Sequence, residues 1–174
     1  MPFLRVYADT SVFGGVFDEE FQAASRAFFD QVRSGQFQLV TSAIVQEEVS
    51  PAPLQVQEFF AGMLGSMEVA DISEDALGLR AAYLDAKIVS PKWSDDALHV
   101  AIATTSGCSL IVSWNFKHIV HFEKIPLYNA VNTLKGYAHI GIFSPLEVIR
   151  YESQQHAVEN ATGGQASPAA CRGD

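Results

Sequence analysis

Short apolar runs alternate with helix-patterned segments along most of the chain, and this alternation limits the fold more than any other feature. Phe3–Ala8, Phe37–Thr41, Met67–Ile72, Leu110–Ser113 and Ile140–Phe143 read as strands, each bounded by polar or turn residues. Between them the period changes. Phe21, Ala24, Phe28 and Val32 share one face of a helix that starts near Asp18, where Asp18, Glu19 and Glu20 suit its positive end and Gly35 its C-cap. Ser42 caps a helix through Val49, and Ser50-Pro51-Ala52-Pro53 stops it. Leu54–Leu64 is a further helix closed by Gly65. Ser73 caps another to about Lys87, and Ser94 caps one from Asp95 to about Ser106, stopped by Gly107. Tyr128–Leu134 is helical, and Ser144-Pro145 opens a last short helix. Phe13-Gly14-Gly15 reads as a turn and Ser90-Pro91-Lys92-Trp93 as a loop. Strands alternating with helices predict an α/β fold over residues 1–151, with three α/β/α layers and a mostly parallel five-stranded sheet. Residues 152–174 show no periodicity and are predicted to be disordered.

Composition narrows the setting. Hydrophobic residues make up 48% of the 174 and charged residues 18%, enough apolar material for a core. Cys108 and Cys171 suit neither a disulfide framework nor a zinc site. No apolar run is long enough to span a membrane, so a soluble cytoplasmic protein is expected. The net charge of −9 argues against a generic basic nucleic-acid binder. That charge is uneven, however. Residues 1–79 carry 3 basic and 12 acidic side chains, whereas residues 80–151 carry 7 and 5, together with His99, His118, His121 and His139.

The carboxylates carry the functional signal. Asp9 ends the first predicted strand, Glu47 and Glu48 lie on the helix after the second, Asp95 and Asp96 open a helix, and Asn115 follows the fourth strand. In a parallel α/β sheet these positions share one edge, where ligands bind. Each has a plainer reading: a helix-dipole partner for Asp95 and Asp96, a solvated face for Glu47 and Glu48. Asp9 is harder to set aside, because a charge closing an apolar strand needs a partner. Two unit charges about 4 Å apart repel by roughly 4 kcal/mol at an effective dielectric near 20, so converging carboxylates call for a cation or for protonation. Oxygen donors without thiolates favour Mg²⁺ or Mn²⁺, which polarise phosphoryl oxygens and activate water.

The same residues resemble a known family. Val6-Tyr7-Ala8-Asp9-Thr10-Ser11-Val12-Phe13 is similar to the opening of PIN-domain nucleases. Ser42-Ala43-Ile44-Val45-Gln46-Glu47-Glu48-Val49 resembles their second acidic motif, and Asp96-Ala97-Leu98-His99-Val100-Ala101-Ile102-Ala103 their third. Ile111-Val112-Ser113-Trp114-Asn115-Phe116-Lys117-His118 resembles the fourth, with Asn115 where Asp is usual. Order and spacing agree over about residues 3–147. The resemblance implies a five-stranded parallel sheet flanked by helices. It also implies a Mg²⁺- or Mn²⁺-dependent ribonuclease in which Asp9, Glu48 and Asp96 are metal ligands, Asp95 also faces the metal, and Asn115 replaces one charge. Many such proteins are VapC-type toxins, so an antitoxin protein placing an Arg in the acidic crevice and a homodimer are implied as well.

Other residues keep two readings. Thr10 and Ser11 offer hydroxyls to the site or to local turns. His99, three residues after Asp96, packs or supports the acids. Lys117 and His118, with His121 and Lys124, contact RNA phosphates or form a solvated surface. Trp93 and Trp114 stack on bases or fill the core. A haloacid-dehalogenase-like phosphotransferase also places an Asp after its first strand, but Ser11 stands where its second Asp belongs. A non-enzymatic alternative is a PIN-fold RNA- or protein-binding module with an impaired metal site.

Overall fold

The computed structural model describes residues 3–150; the 152–174 tail and Cys171 lie outside the described residues. Five strands form one parallel sheet: β1 (Leu4–Ala8), β2 (Phe37–Ser42), β3 (Met67–Ala70), β4 (Leu110–Val112) and β5 (Gly141–Phe143). Their order is β3-β2-β1-β4-β5, so β1 is central. The chain steps outward from β1 through β2 to β3, then returns to β1's other side for β4 and β5. Strand order reverses between β1 and β4, and the crevice beyond their carboxyl ends is where such sheets bind ligands.

Among the described residues, eight α-helices cover the two faces, completing the predicted three-layer α/β/α fold. Right-handed crossovers send the connections before and after the reversal to opposite faces. Accordingly, α1 (Thr10–Gly15), α2 (Gln22–Arg33), α3 (Ala43–Val49) and α4 (Leu54–Met63) pack together with α8 (Pro145–Val148). On the other side α5 (Glu74–Asp85) packs on α6 (Ser94–Thr105) and α7 (Lys124–Leu134). Phe13, Phe28, Phe29 and Phe60 fill the first interface and Tyr83 meets Tyr128 in the second. Each such side chain, fully buried, contributes about 1.5–3 kcal/mol.

Several expected boundaries move. Residues 10–15 form a helix where Phe13-Gly14-Gly15 predicts a turn, because Val12 and Phe13 are buried against the core and packing outweighs the glycines. A Cβ at Gly15 would stand 2.6 Å from Ser25 Oγ and 2.8 Å from Trp114 Nε1, so the glycine lets the indole in. α2 starts at Gln22, leaving Asp18–Glu20 in the preceding turn. Ser42 and Ser73 cap as predicted, accepting from the N–H groups of Val45 and Ala76. Ser94 does not cap, because a 3₁₀ turn, Pro91–Trp93, runs straight into α6. α7 begins at Lys124, four residues before the expected Tyr128, since Pro126 is tolerated in a first turn. Gly35 and Gly107 end their helices at positive φ, 80° and 71°.

Candidate active site

Parallel register places the site. Ala8 pairs with Val112, so Asp9 and Ser113 emerge side by side beyond the sheet. Asp9 sits at the N-cap of α1 but makes no side-chain cap bond. Its carboxylate is instead held by two hydroxyls: Ser11 Oγ donates to Oδ1 at 2.5 Å and Ser113 Oγ to Oδ2 at 2.6 Å. Those donor roles follow from the remaining bonds. Ser11 Oγ accepts the Trp114 N–H and Ser113 Oγ accepts the Asn115 N–H, both at 2.9 Å, so each hydroxyl proton is left for Asp9. Asp9 is only 4% exposed. Burial pushes its carboxyl above the ordinary range, the field of Glu48 adds to that, and His99 and the two serines oppose it.

A second chain of bonds holds Glu48. His99 Nε2 lies 2.7 Å from Glu48 Oε1, and His99 Nδ1 lies 2.7 Å from the Tyr7 hydroxyl, which reaches Ser42 Oγ at 2.8 Å. With a neutral ring, Nε2 donates to the carboxylate and Nδ1 accepts from Tyr7; protonation reverses the Tyr7 and Ser42 hydroxyls without breaking a link. Burial acts to lower the His99 pKa, but the bond to Glu48 and the charges of Asp9, Glu48 and Asp96 raise it overall. Burial acts to raise that of Glu48, yet the bond and charge of His99 leave it lowered.

Asp96, half-buried at the start of α6, completes the acidic group. Burial raises its pKa, Asn115, His118 and His99 work against that, and Glu48 adds to it. Glu48 and His99 thus act on both Asp9 and Asp96, and Asn115 acts on Asp96. Glu47 and Asp95 point to solvent and take no part in these bonds. Asn115 Oδ1 accepts the His118 N–H at 2.9 Å, so the amide oxygen serves a turn. Thr10 Oγ1 is buried and meets no hydrogen-bond partner in good geometry among the described residues, but it lies close enough to Glu48 to help lower that carboxyl's pKa.

The donor set is all oxygen apart from His99, which suits a hard divalent cation. Among the described residues, as the side chains stand, no three His, Cys, Asp or Glu groups close on one point. Glu48 is drawn toward His99, so ion binding at all three acids requires its side chain to turn.

The expected basic cluster is divided. Lys124 Nζ donates to the Ile88 carbonyl at 2.5 Å, and His121 Nδ1 accepts the Glu123 N–H at 3.3 Å. His118 is buried, not an open phosphate contact: Trp93 stacks on it at 4.6 Å between centroids. Lys117 is exposed, its Nζ 5.4 Å from the Trp93 ring centre. The tryptophans part company too. Trp114 stacks on Phe21 at 4.3 Å and donates Nε1–H to Ser25 Oγ at 2.8 Å, a packing role. Trp93 stays 36% exposed. Beside the acids opens a cleft of about 510 Å³, lined by Ser11, Gly14, Asp18, Phe21, Trp114 and Asn115. Sequence reasoning missed Tyr7, Ser42 and Ser113. A tyrosine hydroxyl inside an apolar strand, and the residue in register beyond Asp9, were their signals.

Among the described residues, no helix is long and apolar enough to cross a membrane. No protein-family model matches the sequence, and no curated protein matches it. Among solved structures, the chain is similar to one in the crystal structure of VapBC2 from Rickettsia felis bound to a DNA fragment from their promoter. The identity is 17% and the TM-score 0.49, over 66% of this chain and 90% of that one.

Proposed function

We propose that this chain is a metal-dependent endoribonuclease that hydrolyses RNA phosphodiesters, with Asp9, Glu48 and Asp96 holding Mg²⁺ or Mn²⁺. One observation carries the reading. Asp9 is a buried carboxylate at the strand-order reversal, aimed by two serine hydroxyls and facing further negative charge, with no lysine or arginine paired to it among the described residues. The chemistry a bound divalent cation supplies there is Lewis acidity toward a phosphoryl oxygen and a lowered pKa for water. The protein's own share is preorganisation. Ser11 and Ser113 fix the Asp9 carboxylate, while the Tyr7–His99 chain holds Glu48 beside the site until an ion draws it in. Asn115 supports Asp96 without adding charge.

By its motif resemblance the chain is also proposed to be a cytoplasmic, homodimeric toxin of a type II toxin–antitoxin pair. In that reading an antitoxin Arg occupies the acidic crevice, where a guanidinium would pair with the carboxylates. Recovery of a neighbour-encoded protein in a pull-down tests that part.

A second reading has its own support. Asn115 replaces a carboxylate and turns its oxygen to the His118 backbone, as it would in a binding module whose metal site is impaired. Incubating the protein with RNA and Mn²⁺, with and without chelator, separates the two. The nuclease reading predicts cleavage that chelation stops and Asp96→Asn abolishes. Equal cleavage by wild type and Asp96→Asn, or none with Mn²⁺, overturns it.

A further inference from the structure

The rim on the Trp93 side of the crevice holds a cluster that the acids do not use. Lys92 Nζ lies 5.0 Å from the Trp93 ring centre and Lys117 Nζ 5.4 Å. Two ammonium groups thus share one indole, and neither forms an ion pair among the described residues. Beneath the indole lies the His118 imidazole, only 8% exposed, with neither ring nitrogen meeting a hydrogen-bond partner among the described residues. A buried imidazole left unbonded is costly unless something else engages it. The cover over it is thin, since Trp93 belongs to an exposed 3₁₀ turn and its indole makes no hydrogen bond among the described residues.

Charge decides which group this cluster suits. Both lysines are cations in a chain of net charge −9. The cleft at Ser11 and Asn115 is lined by Asp18 and by no lysine or arginine, so it offers a polyanion no cationic contact. Trp93 stands three residues before Asp96 at the start of α6, and the His118 N–H donates to Asn115 Oδ1, which sets the cluster next to the acids. A strand entering the crevice therefore meets its cationic contacts at this rim.

We propose that Lys92, Trp93, Lys117 and His118 form a nucleotide subsite, in which the two ammonium groups take a backbone phosphate of single-stranded RNA next to the scissile one. Trp93 gives way or turns to stack on the adjoining base, and His118 gains a partner for a ring nitrogen as the indole moves. This subsite rests on the ribonuclease reading for its substrate, but its binding can be measured without cleavage.

The test is fluorescence anisotropy of the full chain with a 5′-labelled oligouridylate in EDTA, repeated over a salt series. Lys92→Ala and Lys117→Ala are each expected to weaken binding about fivefold. Each is also expected to flatten the plot of log affinity against log salt by about 0.7. Lys135→Ala, on a distant exposed helix end, should change neither. Trp93→Ala should weaken binding more than Trp93→Phe. His118→Phe keeps the stack and removes the nitrogens; it is expected to raise thermal stability while weakening binding. Unchanged affinity and salt slope in both lysine variants overturn the subsite, even if the wild type cleaves RNA with Mn²⁺. RNA binding that depends on these lysines without any cleavage supports the subsite and overturns the nuclease reading instead. A glutamate oligopeptide of equal charge bound as tightly as the RNA overturns the nucleotide assignment.

Discussion

His99 and His118 are both buried near Asp96, yet they are opposites. His99 has a partner at each ring nitrogen, joining Tyr7 to Glu48. His118 has none and lies under an aromatic lid. A fully bonded histidine in an interior network fixes geometry, whereas an unbonded one near the surface stores an unmet demand. The contrast divides the crevice. Its floor is acidic and interlocked, with Asp9 held by two serines and Glu48 held on His99. Its rim is basic, loosely covered and open to rearrangement.

The largest expected effect tests the floor. His99→Phe should destabilise the fold by about 2 kcal/mol, because the Tyr7 hydroxyl and Glu48 lose their shared partner while Glu48 recovers some hydration. Chemical denaturation measures it, and a cost below about 0.5 kcal/mol, the usual surface range, would remove the distinction between the two histidines. Asp9→Asn should act the other way. Removing a charge whose burial is unfavourable is expected to raise stability by about 0.5–2 kcal/mol in EDTA while abolishing Mn²⁺-dependent cleavage. A less stable Asp9→Asn would mean that the serine bonds outweigh desolvation. His118→Phe belongs to the rim and should raise stability by about 1 kcal/mol, opposite in sign to His99→Phe.

The pH dependence gives the finest distinction. His99 has a raised pKa in the fold, so its contribution is complete below its ordinary value of 6.5 and is lost as pH rises through the folded value. Glu48 is lowered, so its contribution is present above its ordinary 4.5 and is lost as pH falls through the folded value. The coupling between them, measured by a cycle of His99→Phe and Glu48→Gln, should therefore be greatest at about pH 5–6 and smaller at pH 8. A coupling flat across that range would show that no charge develops on the pair. Asp9 and Asp96 are raised, so their ionised forms, and metal binding with them, gain as pH increases.

Much of this arrangement was legible in the chain. The alternation of strand and helix patterns predicts the parallel sheet, and Ser42 and Ser73 mark their helices because a cap is a local bond. Asp9 stands out because a carboxylate closes an apolar strand. The family resemblance points to Glu48 and not Glu47, and in the fold Glu48 shares the inward face with Ile44 and Val45 while Glu47 faces solvent. The misreadings have equally local causes. Adjacent glycines disguise α1, whose burial of Phe13 is tertiary, and Pro126 hides the start of α7. What could not be read were contacts made across the fold. The Ser113–Asp9 bond needs strand register, and the Trp93–His118 stack joins residues 25 positions apart.

Calorimetric titration with Mn²⁺ tests the central claim most directly. The account predicts binding by the wild type that is lost in Asp9→Asn and Asp96→Asn, weakened in Glu48→Gln, and retained in Asp95→Asn and Glu47→Gln. Absence of Mn²⁺ binding at millimolar metal, or binding that survives Asp9→Asn and Asp96→Asn unchanged, would contradict it.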